Sequence, residues 1–128
     1  MSALARWFNA NGKNVVGYDK TPSPLTKKLS EEGISIHYED DLELIPPVFR
    51  KPNSNILVVY TPAIPENHQE LTFFRNNEFK ILKRAAVLGI IAKAMFSLAV
   101  AGTHGKTTTS SMVAHILRFS GLDMAAFL

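Results

Sequence analysis

The sequence contains no cysteine, a single tryptophan and no long apolar run. The lack of cysteine excludes disulfide frameworks, thiolate zinc sites and cysteine nucleophiles, and it fits a reducing compartment, so we expect a cytoplasmic protein. No stretch reaches the ~20 apolar residues that a membrane-spanning helix needs. The first residues also lack the basic and apolar regions of a signal peptide. We therefore predict no membrane partner.

Lysine and arginine are not concentrated in any one region. The net charge is only +3, and the basic residues are scattered rather than arranged in a stripe with aromatic side chains, so no nucleic-acid partner is predicted. The content of 46% hydrophobic and 20% charged residues is that of an ordinary globular protein. A chain of 128 residues is about one average domain and is short for a complete two-substrate enzyme, which favours a module or a fragment.

The chain alternates between short apolar runs, turns and helical segments, which is typical of parallel βα units in an α/β fold. Helices are predicted at residues 2–11, 23–33, 41–45, 67–76, 85–95 and 107–120, and strands at residues 14–19, 34–37, 56–60, 80–83 and 97–101. The apolar, β-branched strand at 56–60 indicates a sheet that is covered on both faces. On the last helix, an inward face is predicted for Met112, Val113, Ile116 and Leu117.

A glycine loop between the last predicted strand and the last helix has the context of a phosphate-binding P-loop. The nucleotide-binding residues predicted here are Gly102, Thr103, His104, Gly105, Lys106, Thr107 and Thr108. The glycines let successive N–H groups point at phosphate oxygens, and the helix adds the positive end of its dipole. Lys106 has the reach to bind the β- and γ-phosphates, and Thr107 offers a hydroxyl to Mg²⁺. Lys106 and Thr107 are therefore the predicted catalytic residues, with Thr107 as the metal ligand.

This loop is a short variant of the general motif, because Val100 occupies the position of the motif's first glycine. The simpler alternative to phosphate binding is a flexible glycine turn followed by a threonine-rich helix start. Such a turn does not require Gly-Lys-Thr at the start of the helix. His104 either orients the loop or faces solvent.

The run from Ala99 to Met112, Ala-Val-Ala-Gly-Thr-His-Gly-Lys-Thr-Thr-Thr-Ser-Ser-Met, closely resembles the ATP loop of the Mur ligase family. Residues 1–5 resemble the end of that family's glycine-rich loop, and residues 14–19 resemble its second strand. The resemblance implies a Rossmann-like parallel-sheet domain for the UDP-substrate over residues 1–88, lacking its first strand. It also implies the start of a P-loop ATP-binding domain over residues 89–128.

The Thr-His pair in the loop resembles the branch of the family that joins L-alanine to UDP-N-acetylmuramate. The resemblance implies that ATP, with Mg²⁺, phosphorylates the substrate carboxylate and that the alanine amine attacks the acyl phosphate. This is a step in peptidoglycan synthesis, and hence in cell-wall biogenesis, cell shape and cell division. A fragment would hold only part of this machinery, so we expect the isolated chain to be inactive.

Substrate-binding candidates outside the loop are Ser2, Asp19, Thr61 and Ala63. Asp19 ends a strand where nucleotide-binding folds place an acid on a ribose, although a turn acceptor is an equal alternative. The segment from Thr61 to Ile64 resembles a family segment near the uridine site, with Tyr60 in place of a small polar residue.

Three other readings of the function stay open. The nearest is a ligase of the same family that attaches a murein tripeptide to the same nucleotide sugar. Folate polyglutamate ligases are less similar in the loop, and a non-catalytic nucleotide-binding module is the alternative from another class.

The remaining histidines and acidic residues are predicted to be structural. His37, His68 and His115 have no metal-ligand spacing and are interpreted as surface or packing residues. Asp40 and Asp41 are predicted to cap the helix that follows them.

Overall fold

A computed structural model describes residues 1–127 and confirms the α/β class. The strands are β1 (Val16–Tyr18), β2 (Ser35–His37), β3 (Leu57–Tyr60) and β4 (Lys80–Lys83). The α-helices are α1 (Ser2–Ala10), α2 (Pro24–Glu31), α3 (Gln69–Asn76), α4 (Arg84–Ala94) and α5 (Lys106–Phe119), with short 3-10 turns at Leu42–Leu44 and Pro47–Phe49. None of the helices within residues 1–127 is both long and apolar enough to cross a bilayer.

The strands form two separate parallel pairs, β1 with β2 and β3 with β4. Helix α2 connects the first pair and helix α3 the second, so each pair is a βαβ unit. In a doubly wound sheet with β1 and β3 at the centre, the two right-handed crossovers run in opposite directions and place α2 and α3 on opposite faces. Within the described residues no strand pairing joins β1 to β3, so the two pairs are separate two-stranded sheets.

Helix α1 contributes to a core on the β3–β4 side of the fold. Leu4 is only 2% exposed and forms the core with Val87 and Ile91 of helix α4. The half-buried side chains packed against this core include Trp7, Phe8, Leu57, Val59, Leu82 and Leu88. Because Leu57 and Val59 belong to β3, the core formed by α1 and α4 packs against this strand.

The same helix is also bonded to the end of α2. Arg6 Nε donates to Glu32 Oε2 at 2.6 Å, and Asn9 Nδ2 donates to the Glu32 carbonyl oxygen at 3.0 Å. Helix α2 in turn packs on β2. Helix α1 therefore connects the two halves that no strand pairing joins.

Helix α2 begins where the sequence predicts, at a serine cap followed by a proline. Ser23 Oγ accepts from the Thr26 N–H at 3.2 Å, and Thr26 Oγ1 accepts from the Ser23 N–H at 2.9 Å, which forms a capping box. Pro24 occupies the first helical position, where its missing N–H removes no helical bond. The predicted start of this helix is confirmed.

Helix α3 is capped from a distant part of the chain. The Asp40 carboxylate accepts from the N–H groups of Gln69 at 2.8 Å and Glu70 at 3.1 Å. Asp41 caps the next 3-10 turn, as predicted, by accepting from the Glu43 N–H at 2.9 Å. The prediction that Asp40 does the same is wrong. Asp40 lies just beyond the carboxyl end of β2, the edge of the fold at which α3 begins.

The last apolar segment departs from the prediction. Residues 97–101 do not form a strand, and α5 buries none of its side chains within the described part of the chain. Met112 and Ile116, predicted to face inward, are each 61% exposed. A parallel strand needs neighbours on its edges and faces, and none pairs with residues 97–101 here, so the inward face of α5 has no sheet to cover.

We expect Asp40→Ala to lower the free energy of unfolding by ~1–2 kcal/mol, because two N-terminal amides of α3 lose their acceptor. Asp41→Ala is the matched control and should cost less, since it caps only a single 3-10 turn. Urea unfolding followed by circular dichroism measures both. Equal losses in the two variants would contradict the proposed role of Asp40.

The link between Arg6 and Glu32 should appear in a pH titration. Arg6 lowers the pKa of the Glu32 carboxyl, through a hydrogen bond first and its charge second. Because the folded pKa lies below the unfolded one, this contact stabilises the chain at neutral pH, and the contribution is lost as the pH falls through the folded pKa.

We expect the NMR titration midpoint of Glu32 to rise in Arg6→Gln. The control, Lys28→Gln, removes a charge that lowers the same pKa more weakly, and should shift the midpoint less. A midpoint that does not move in Arg6→Gln would rule out the contact in solution.

Candidate phosphate-binding site

Gly105 sets the direction of the loop as it enters helix α5. It is the residue before the helix and has a left-handed backbone with φ of 72°. The space next to its Cα is open. A side chain at this position would therefore be disfavoured by backbone strain rather than by collision with a neighbour.

The first amides of α5 have no intrahelical acceptor. The first helical bond runs from the Thr109 N–H to the Gly105 carbonyl oxygen at 2.9 Å. No side chain among residues 1–127 caps this helix, and residues 101–109 are all exposed. The N–H groups of Lys106, Thr107 and Thr108 therefore lie at the positive end of the helix dipole, where such groups bind anions.

Lys106 folds back over its own loop. Its Nζ donates to the Gly102 carbonyl oxygen at 2.7 Å and lies 3.4 Å from that of Thr103. These contacts hold the ammonium against the loop that leads into the helix. The loop thus brings a fixed positive charge and N–H donors together, which is what a polyphosphate chain requires.

An open cavity of about 570 Å³ runs along α5 from this helix start. Thr107 and Thr108 line its first turn, and Met112 and Ile116 line its apolar continuation. Within residues 1–127 no group of three or more His, Asp or Glu side chains is arranged to hold a metal ion. The exposed Thr107 hydroxyl suits Mg²⁺ as one oxygen ligand, with phosphate oxygens supplying others.

Thr103 and His104 are exposed in the loop. Thr103 contributes a carbonyl oxygen to the Lys106 contact. The side chain of His104 faces solvent, while its carbonyl oxygen lies 3.5 Å from the position a Cβ on Gly102 would occupy.

Ser2 and Asp19 lie at one edge of the fold. Ser2 is the first residue of α1, and Asp19 follows the carboxyl end of β1. Burial and the charge of Arg84 lower the pKa of the Met1 amino group, whereas Asp19 opposes them. The N-terminus of α1 therefore lies near both charged side chains.

Asp19 also acts as a turn acceptor, the alternative role predicted for it from the sequence. Its Oδ1 accepts from the Thr21 N–H at 3.1 Å, as a turn acceptor does. Thr61 and Ala63 follow β3, and the Thr61 carbonyl oxygen accepts from the Ile64 N–H at 3.2 Å. They lie in a turn at the carboxyl end of the inner strand of the second pair.

Two residues of this edge were not predicted from the sequence. Arg84 begins α4 directly after β4, and its Nε is buried without a hydrogen-bond partner among the described residues. His68 is only 5% exposed, with Nδ1 at 3.2 Å from Asp40 Oδ1. Neither residue lies in a motif, and only the fold places them near the strand ends.

The sequence profile described as the Mur ligase family, catalytic domain, matches residues 1–95, which is most of the chain. The chain belongs to the Mur ligase family. The match ends before Gly102, whereas individual Mur ligases align with the chain through the phosphate loop.

Two such relatives are the UDP-N-acetylmuramate–L-alanine ligases of Parabacteroides distasonis and Porphyromonas gingivalis. They are 60% and 56% identical to the chain over all 128 residues. The chain spans only 28% of each relative's length.

A solved structure has the same fold. The UDP-N-acetylmuramate-alanine ligase of Thermotoga maritima superposes with a TM-score of 0.79 and 30% identity. The superposition covers 94% of this chain and 27% of that one. The Rossmann-like fold predicted from the sequence is therefore confirmed.

We expect Gly105→Ala to weaken the binding of Mg²⁺-ATP about tenfold or more, because a left-handed alanine costs roughly 1–2 kcal/mol and relaxation would turn the loop amides away. Gly121→Ala is the matched control, since Gly121 has a similar φ of 79° and open space at the other end of α5. Calorimetric titration gives both affinities. Equal weakening in the two variants would show that the loop geometry is not what binds ATP.

Proposed function

We propose that the chain is part of an ATP-dependent ligase that joins L-alanine to UDP-N-acetylmuramate in peptidoglycan precursor synthesis. The observation that carries this proposal is the start of α5, where free amides and the Lys106 ammonium converge behind a left-handed glycine. The names and the high identity of the relatives support the choice of substrates. As a participant in this pathway, the protein would act in the cytoplasm.

The loop residues from Gly102 to Thr108 would bind the ATP phosphates. Lys106 would neutralise charge at the β- and γ-phosphates, and Thr107 would hold Mg²⁺. The metal ion supplies positive charge against the transferring phosphoryl group. The chain's own contribution is to position the phosphates through backbone donors whose directions are fixed by Gly105 and α5.

The nucleotide-sugar substrate would bind at the edge formed by Ser2, Asp19, Thr61 and Ala63. We assign residues 1–88 to the UDP-substrate domain and residues 89–128 to the start of the ATP-binding domain. Leu128 lies outside the described residues. Helix α4 crosses this boundary and would connect the two domains.

We expect the isolated chain to release no phosphate in response to L-alanine. It spans 28% of the relatives' length, and the described residues contain no group of three or more His, Asp or Glu side chains that could hold a metal ion. Alanine-dependent phosphate release from pure chain, measured with UDP-N-acetylmuramate and Mg²⁺-ATP present, would contradict this expectation.

Binding, in contrast to turnover, should be measurable in the chain alone. We expect Lys106→Ala to weaken Mg²⁺-ATP about tenfold or more, corresponding to ~1.4 kcal/mol, because the loop loses its fixed cation. Lys93→Ala, which removes an exposed lysine of α4, should leave the affinity unchanged.

UDP-N-acetylmuramate is the second ligand in the same calorimetric titration. Its binding should be insensitive to Lys106→Ala, since the proposed sugar-nucleotide edge lies on other elements. A folded chain whose ATP affinity is the same with and without Lys106 would refute the phosphate loop.

A further inference from the structure

Arg84 is a half-buried arginine whose most buried nitrogen lacks a partner. Its Nε is shielded from solvent and has no hydrogen-bond partner among residues 1–127. None of the ion pairs within the same residues includes Arg84 either. A buried donor without an acceptor is costly, and the cost is greater when the group is charged. The guanidinium is therefore able to bind an acceptor that these residues do not supply.

The position of Arg84 at the start of α4 adds to this cost. Arg84 is the first residue of the helix, whose first turn contains no acidic residue. No side chain in the described part of the chain caps this helix start. Because the start of a helix favours negative charge, a cation at this position is unfavourable by itself. A bound anion would compensate both the helix start and the guanidinium.

Helix α1 begins beside Arg84. Leu4, in the first turn of α1, packs with Val87, in the first turn of α4. Residues three positions apart lie on the same side of a helix, so Met1 and Arg84 lie at neighbouring ends of the two helices. Burial and the Arg84 charge also lower the pKa of the Met1 amino group, which agrees with this proximity.

The start of α1 also lacks a cap. Among the described residues no side chain caps this helix, and its first turn contains no acidic residue. The first helical bonds end at the Met1 carbonyl oxygen, so the N–H groups of Ser2 and Ala3 have no helical acceptor. The nearby Asp19 carboxylate accepts from the Thr21 N–H at 3.1 Å. Two helix starts and one guanidinium thus bring positive charge together at one edge of the fold.

We propose that Arg84 binds the diphosphate of the nucleotide-sugar substrate, together with the Ser2 and Ala3 amides. This inference rests on the proposed function and adds a substrate-binding residue to the edge assigned there to the nucleotide sugar. Phosphate oxygens accept from the forked N–H donors of an arginine and from the first amides of a helix.

The donors at this edge match a diphosphate better than they match the substrate carboxylate. One guanidinium binds both oxygens of a carboxylate in a bidentate pair, which would leave the α1 amides without an acceptor. Two linked phosphates carry enough oxygens to bind the guanidinium and the amides at the same time. The diphosphate is therefore the group that we assign to Arg84.

Uridine, UDP and UDP-N-acetylmuramate are the three ligands for calorimetric titration of the full 128-residue chain. Arg84→Gln removes the charge, whereas Arg84→Lys keeps the charge but loses the forked donors. Lys83→Gln is the matched control, because Lys83 is the preceding residue, has the same charge and is exposed.

We expect Arg84→Gln to weaken the binding of UDP and of UDP-N-acetylmuramate about tenfold or more, because charge-assisted hydrogen bonds to phosphate are lost. Arg84→Lys should restore part of the affinity. Uridine has no phosphate, so its affinity should be the same in every variant. Lys83→Gln should leave the affinities for all three ligands unchanged.

NMR of the unsubstituted chain provides a second measurement. The Arg84 Nε–H signal, assigned by its loss in Arg84→Lys, should shift when UDP is added, because the N–H gains an acceptor. Uridine should not shift it. This measurement tests the proposal even if Arg84→Gln fails to fold.

The outcomes separate this inference from the proposed function. Unchanged UDP binding in folded Arg84→Gln, with an Nε–H signal that UDP does not move, would overturn the inference alone. Weaker binding of UDP-N-acetylmuramate but not of UDP would assign Arg84 to the carboxylate and overturn the diphosphate contact. Equal weakening of uridine and UDP would make Arg84 a structural residue. No binding of either nucleotide by the folded, unsubstituted chain would overturn the inference and the proposed nucleotide-sugar site together.

Discussion

The contact of Leu4 with Val87 and Ile91 is the interaction on which the arrangement of the two βαβ units depends. No strand pairing joins them within the described residues, so their relative position relies on helix α1 and on the contacts of Asp40 and His37 with α3. The hydrogen bonds from Arg6 and Asn9 add a polar link to α2, but at the surface. Side-chain contacts, rather than a continuous ladder, therefore hold the two units together.

The candidate phosphate loop, residues 102–108, depends on local geometry instead. Gly105 turns the chain, α5 supplies uncapped amides, and the Lys106 side chain returns to the carbonyl oxygen of Gly102. None of these features requires the core around Leu4, and α5 buries none of its described side chains. The site and the folded core are thus encoded by separate parts of the sequence.

The features that were predicted correctly are those determined by residues close together in the sequence. The cap at Ser23 and Pro24, the strand at 80–83 and the glycine loop depend on neighbouring residues, and the structure contains all three. The failures concern contacts between distant residues. Residues 97–101 have strand composition but pair with no strand among residues 1–127. Asp40 caps a helix 29 residues away, and Arg84 reaches the strand ends only through the fold. Composition and periodicity contain no information on which distant segment supplies a partner.

The Asp40 cap also determines how the chain can be divided. Asp40 belongs to the end of the first βαβ unit, yet it supplies the acceptors for the first amides of α3 in the second, and His37 adds a contact of 2.6 Å to Glu70. A cut or a long insertion that separated the units would leave the Gln69 and Glu70 amides of α3 without their Asp40 acceptor and the Glu70 carboxylate without its His37 partner. The two units have the same βαβ topology. Because of these contacts, a gene rearrangement or an engineered domain transfer has to move both units together.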